Sequence, residues 1–185
     1  MEKFFNPRSV VVVGASNSPF NLGATICNIL QYLKFEGNLF AVNTRAEAVH
    51  GCPGYSSITE IGEPIELAII ITPSRVVPDF VRQCGEKGIK NIIIESAGFS
   101  EEGEEGSRLQ EEVHTYAREH GIRFLGPNCL GVLDTRSRFC CFFGIIPGKY
   151  DDAFSNVGTI SYVIQSGGVG ALNMDAFQTD VTDVN

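Results

Sequence analysis

The chain has no tryptophan, two methionines and three histidines in 185 residues. It has no Cys-x-x-Cys pair either: its six cysteines fall at positions 27, 52, 84, 129, 140 and 141. That spacing excludes a zinc ribbon and a thioredoxin-type couple, and it fits reduced thiols in a cytoplasmic protein. No apolar run reaches the length of a membrane span, and the N-terminus lacks the long apolar core of a secretory signal. A basic surface is missing too, since 14 Lys and Arg stand against 22 Asp and Glu for a formal net charge of −8. Nucleic acid and membrane are therefore not expected partners, whereas a small anionic ligand held by backbone N–H groups remains open. None of His50, His114 and His120 has the neighbours of a catalytic base, and no metal site or catalytic residue is assigned.

What is present is strand–helix alternation. Short runs rich in Val, Ile and Leu recur at Ser9–Val13, Leu39–Val42, Leu67–Ile71, Asn91–Ile94 and Phe124–Leu125. Such continuous apolar runs suit strands buried on both faces. Between them lie helical faces: Ile26, Ile29, Leu30 and Leu33; Val77, Phe80, Val81 and Cys84; Leu109, Val113, Tyr116 and Ala117. Ser100 reads as an N-cap before Glu101 and Glu102, and Gly88 and Gly121 read as C-terminal stops. The segment from Arg45 to Pro64 reads as loop with one helical turn. The pattern predicts an α/β fold with a Rossmann-like, doubly wound parallel sheet over residues 1–130. Residues 131–157 read as a connecting segment. From Gly158 a further strand through Ile164 and a short helix read as the incomplete start of a second, flavodoxin-like domain. Its apolar face predicts docking or self-association, which makes a homo-oligomer compatible with the sequence.

The candidate chemistry sits where strands end. The first strand runs into Gly14-Ala15-Ser16-Asn17-Ser18, a polar loop leading to Gly23 and a helix, the usual place for a phosphate. The dinucleotide spacing is absent, because Ser16 stands where a second glycine belongs. After the second strand comes Asn43-Thr44-Arg45, with a cation in place of the ribose-binding acid; this disfavours NAD and favours a ligand with a ribose phosphate, NADP or coenzyme A. Arg45 also has a plain reading as a solvated loop arginine. Thr72-Pro73-Ser74 and Ser96-Ala97-Gly98 follow the third and fourth strands, where ligands bind in open parallel sheets, although a helix cap and a simple turn are alternative roles for Ser74 and Gly98. Cys129, in the turn Gly126-Pro127-Asn128-Cys129, reads as structural or ligand-lining. Ser166-Gly167, before a helix, suits an anion or a tight turn.

Taken together, five segments resemble the nucleoside-diphosphate-forming acyl-CoA synthetases, the family of succinyl-CoA ligase and ADP-forming acetyl-CoA synthetase. They are Val11-Val12-Val13-Gly14-Ala15-Ser16, Ala41-Val42-Asn43-Thr44-Arg45-Ala46-Glu47, Ser96-Ala97-Gly98-Phe99, Gly126-Pro127-Asn128-Cys129-Leu130-Gly131 and Gln165-Ser166-Gly167-Gly168. The resemblance implies a CoA-binding Rossmann domain in which Gly14 to Ser18, Arg45, Thr72 to Ser74, Ser96 to Gly98, Asn128 and Cys129 line the CoA site. It implies that Ser166 and Gly167 open a helix that cradles a phosphoryl group, and that CoA or acyl-CoA and an ATP-grasp subunit or domain are the partners. The chain departs from the family in having Thr44 where proline is usual. No histidine follows His120, so the family's phosphorylated histidine is not among these residues; the expectation is that the chain binds CoA and does not turn over alone. A non-catalytic CoA-sensing module and an NADP-dependent oxidoreductase domain are the alternatives.

Overall fold

The computed structural model describes residues 1–144, 148, 154 and 159–179. At its centre lies a six-stranded sheet of β1 (Ser9–Val13), β2 (Asn38–Val42), β3 (Gly54–Tyr55), β4 (Leu67–Ile70), β5 (Asn91–Ile94) and β6 (Arg123–Leu125). The spatial order is β3-β2-β1-β4-β5-β6 and every neighbouring pair is parallel. The order reverses at β1, so the loops after β1 and β4 diverge there and open a crevice at the carboxyl edge.

The apolar strands are continuous because both sides of the sheet are covered. Val11, Val13, Ala68, Ile70, Ile92 and Ile94 pack on α2 (Val77–Lys87) and α3 (Glu104–His120) through Val77, Val81, Cys84, Leu109, Val113 and Ala117. The alternate residues Val10, Val12, Leu67, Ile69 and Ile93 pack on α1 (Leu22–Tyr32) through Ile26, Cys27 and Leu30. On that second face Phe4 and a short antiparallel hairpin, β7 (Leu133–Asp134) with β8 (Phe139–Cys140), complete the cover with Phe139 and Cys141. The stretch read as a connector therefore contributes side chains to the core.

Helices α2 and α3 stop at Gly88 and Gly121, both left-handed at φ 83° and 61°, as expected of αL caps. Three expectations change. Gly54–Tyr55 forms a sixth strand beside β2 where loop was expected, because Asn43 and Ala41 N–H groups donate to the Tyr55 and Pro53 carbonyls and need no apolar run to do so. Ser100 does not cap α3: Ser100–Glu102 is a separate 3₁₀ turn, and α3 starts at Glu104 behind Gly103. The strand expected up to Ile164 is absent over 161–164, which carry no ladder; Val163 is fully exposed. The helix that follows, α4, spans Gly167–Thr179. Residue 158, most of 145–157 and the expected tail 180–185 lie outside the described residues.

Candidate functional site

The loop from Gly14 to Asn21 is fixed from within. Gly14 has φ +96°, and a side chain there would collide with the Ile71 carbonyl oxygen. Gly23 is equally constrained: a Cβ would sit 2.7 Å from the Ala15 Cα, so glycine is what lets α1 start directly over the strand end. Asn21 caps α1, its Oδ1 accepting from the Ala24 N–H at 2.8 Å and from the Ser16 N–H at 3.0 Å, while its Nδ2 donates to the Gly14 carbonyl at 3.0 Å. One side chain thus ties the strand end, the loop and the helix start together. Asn17 and Ser18 are exposed at the loop's tip, and Ala15 is buried beneath it.

The second loop meets the first. The Asn17 Nδ2 donates to the Ala48 carbonyl at 3.0 Å. Asn43, at the end of β2, accepts from the Arg45 and Glu47 N–H groups, both at 3.1 Å, and donates to the Glu47 carbonyl at 2.8 Å. This Asx turn holds the backbone around Arg45 while the guanidinium stays in solvent, with 77 % of its side chain exposed and Glu47 Oε1 3.8 Å away. An exposed pair of that length holds the side chain weakly.

The ends of β4 and β5 are linked in turn. The Thr72 N–H donates to Ser96 Oγ at 3.0 Å, Ser96 Oγ donates to the Ile70 carbonyl at 3.4 Å, and the Asn128 N–H donates to the Ser96 carbonyl at 2.9 Å. Pro73 and Ala97 are exposed beside them. Gly98, at φ +99°, leaves room for Ser74, whose Oγ would lie 2.7 Å from a Cβ there. Ser74 makes no capping bond to the helical turn it begins. The Cys129 thiol donates to the Ile94 carbonyl at 3.4 Å, and burial pushes its pKa up to about 11, which favours the neutral thiol. Gly167 opens α4 against Leu130, whose Cδ1 would lie 2.6 Å from a Cβ at that glycine; this brings Ser166 and Gly167 to the loop carrying Asn128 and Cys129. All the expected residues therefore lie on loops at the carboxyl edge or against them.

Sequence reasoning passed over two residues. Asn21 stands directly before the apolar-periodic helix, which is itself a capping signal. Glu95 follows Ile92-Ile93-Ile94, and an acid ending a fully buried strand is its only mark. Glu95 is 6 % exposed; neither carboxyl oxygen has a hydrogen-bond partner in standard geometry, nor does the Thr72 hydroxyl. Burial drives the Glu95 pKa well above its ordinary value, against the opposing pull of the Cys141 thiol at hydrogen-bonding reach. Burial thus favours the uncharged form of this acid.

A parallel sheet of this strand order, with a capped glycine loop after β1 and a base after β2, defines a Rossmann-type nucleotide-binding domain. Residues 8–135 match the family described as the CoA binding domain, and the chain belongs to that family. Among its relatives, the acetate–CoA ligase (ADP-forming) II subunit alpha of Pyrococcus furiosus is 38 % identical over 172 residues, spanning 92 % of this chain and 35 % of that protein. A trans-feruloyl-CoA synthase from an unknown prokaryotic organism is 40 % identical over 131 residues, 71 % of this chain and 18 % of that protein. In three dimensions the apo acetyl-coenzyme A synthetase 1 of Ca. Korarchaeum cryptofilum superimposes with a TM-score of 0.88 at 29 % identity, over 99 % of this chain and 38 % of that one. The chain thus spans about a third or less of the curated relatives' length. Among the described residues no helix is long and apolar enough to cross a membrane.

Proposed function

We propose that this chain is the CoA-binding part of a nucleoside-diphosphate-forming acyl-CoA synthetase, which joins a carboxylate to CoA while a nucleoside triphosphate becomes diphosphate and phosphate. The observation that carries the reading is the match to the CoA binding domain over residues 8–135, on a sheet whose second strand is followed by a turn bearing Arg45 where an acid is usual. In this reading the Gly14–Ser18 loop, apart from the Ser16 N–H that Asn21 already holds, and the start of α1 receive the pyrophosphate, and Arg45 meets the 3′-phosphate, where a guanidinium and a phosphate make charge-assisted hydrogen bonds. The pantetheine arm crosses the carboxyl edge past Thr72 to Ser74, Ser96 to Gly98, Asn128 and Cys129. Ser166 and Gly167 start the helix whose N-terminus faces a transferred phosphoryl group, and an ATP-grasp subunit or domain supplies the nucleotide. Relatives named for acetate and for ferulate match the same segment, so acyl choice belongs to other parts of such enzymes. Six free cysteines suit a reducing, cytoplasmic setting.

A thermal-shift panel of CoA, acetyl-CoA, NADPH and NADH tests this. A ligand at a hundred times its Kd stabilises the fold by about 2.7 kcal/mol. CoA and acetyl-CoA are expected to raise Tm and the nicotinamide nucleotides to leave it in place; a larger shift with NADPH or NADH overturns the reading.

A further inference from the structure

The turn that closes the first loop is occupied by the wrong kind of residue for its shape. The Asn21 N–H donates to the Ser18 carbonyl at 3.2 Å, which makes Ser18-Pro19-Phe20-Asn21 a β-turn. Proline at the second position and φ +61° at the third give it type II character. That third position is the one where glycine or asparagine is normal, because a Cβ is strained at positive φ. Here it holds Phe20, and the ring is 100 % exposed. An isolated exposed apolar side chain is ordinary. A phenyl ring that is both strained in its backbone and wholly unburied is not, since glycine at the same position removes both penalties. The turn is not loose either, because Asn21 anchors it to Gly14, Ser16 and Ala24, and Asn17 anchors it to the loop bearing Arg45.

We propose that Phe20 is a stacking platform for the adenine ring of the nucleotide, making the first loop read the base as well as the phosphates. This rests on the CoA reading above and names the half of the ligand that the loop selects. The ring stands in solvent on the loop after β1, at the same sheet edge as the loop bearing Arg45. An aromatic face and a cation then address the two features that distinguish the adenosine end of CoA, its purine and its 3′-phosphate. Base–aromatic stacking is sequence-tolerant, so the platform recognises a purine rather than adenine by its edges.

The chain has no tryptophan, so Phe20→Trp installs at the site a sole tryptophan, whose emission is selectively excited to the red of the five tyrosines. Titration with CoA and with adenosine 3′,5′-bisphosphate is expected to quench it, and 4′-phosphopantetheine is expected not to. Phe20→Gly is the companion variant: it relieves the turn, so Tm is expected to hold or rise, while affinity for CoA and the bisphosphate falls about tenfold and that for 4′-phosphopantetheine is unchanged. A silent tryptophan on a variant that binds CoA, an equal loss for all three ligands, or no loss at all overturns the stacking role and leaves the CoA reading standing. A wild-type chain that binds none of the three in calorimetry overturns both.

Discussion

On the β1 side of the carboxyl edge, one carboxamide, that of Asn21, makes three hydrogen bonds to backbone groups, and Asn43 makes three more after β2. On the β4–β5 side, beginning one strand over, the Glu95 carboxyl and the Thr72 hydroxyl are buried with no hydrogen bond of standard geometry. The first side is backbone tied together by two side-chain amides. The second has polar groups whose burial is uncompensated, and a buried polar group without a partner is destabilising by about 1–3 kcal/mol. The difference separates a loop fixed by its own hydrogen bonds from a neighbouring region that buries polar side-chain atoms at a cost.

Removing the lacing should have the largest effect. Asn21→Ala leaves the Gly14 carbonyl and the Ser16 and Ala24 N–H groups without their partner, and is expected to destabilise by about 2 kcal/mol, the upper end for a lost N-cap. Chemical denaturation reads this directly, and a loss near zero would mean the lacing is ornamental. Glu95→Gln acts in the opposite sense. The folded-state pKa of Glu95 lies above its unfolded value, so its contribution is fully present below the unfolded pKa, about 4.3, and is lost as pH rises toward the raised folded value. The amide does not titrate, so the variant is expected to gain stability over wild type progressively above that pH; melting curves from pH 4 to pH 8 that stay parallel would sink the claim that the acid is uncompensated. Arg45→Ala is expected to weaken CoA by about 1 kcal/mol and dephospho-CoA by less, because an exposed charge contact is worth little more than that. Equal losses for the two ligands in calorimetry would detach Arg45 from the 3′-phosphate. Smallest of all, Val163→Ala, on a side chain that is fully exposed, should change stability by less than about 0.5 kcal/mol.

The core of the fold is legible in the sequence because burial on two faces writes a continuous apolar run. Ser9–Val13, Leu67–Ile70 and Asn91–Ile94 are buried along their whole length, and all three stand out as runs. Gly54–Tyr55 is illegible for the converse reason: a two-residue edge strand is defined by its backbone pairing to Ala41 and Val42 and leaves no periodicity. Residues 161–164 mislead from the other direction. Their apolarity announces a need for cover, which is a different property from having a partner strand, and Ile160, Tyr162, Val163 and Ile164 remain exposed. Candidate site residues are legible as loop positions after strands, since the parallel order forces those loops to one edge. Hydrogen-bond accounting is not legible. Nothing in Ile94-Glu95-Ser96 says that Ser96 links three strand ends while the Glu95 carboxyl is buried with no hydrogen bond of standard geometry.

The Asn21 knot also bears on the heat of binding. A loop whose strand end, middle and helix start are joined before a ligand arrives has little conformational freedom left to surrender. Association at this edge should therefore show a heat-capacity change proportional to the ligand surface covered, without the large added component that marks a segment folding around its guest. Asn21→Ala would convert one behaviour into the other: a weaker complex whose enthalpy depends more steeply on temperature, because ordering the loop has become part of the binding event.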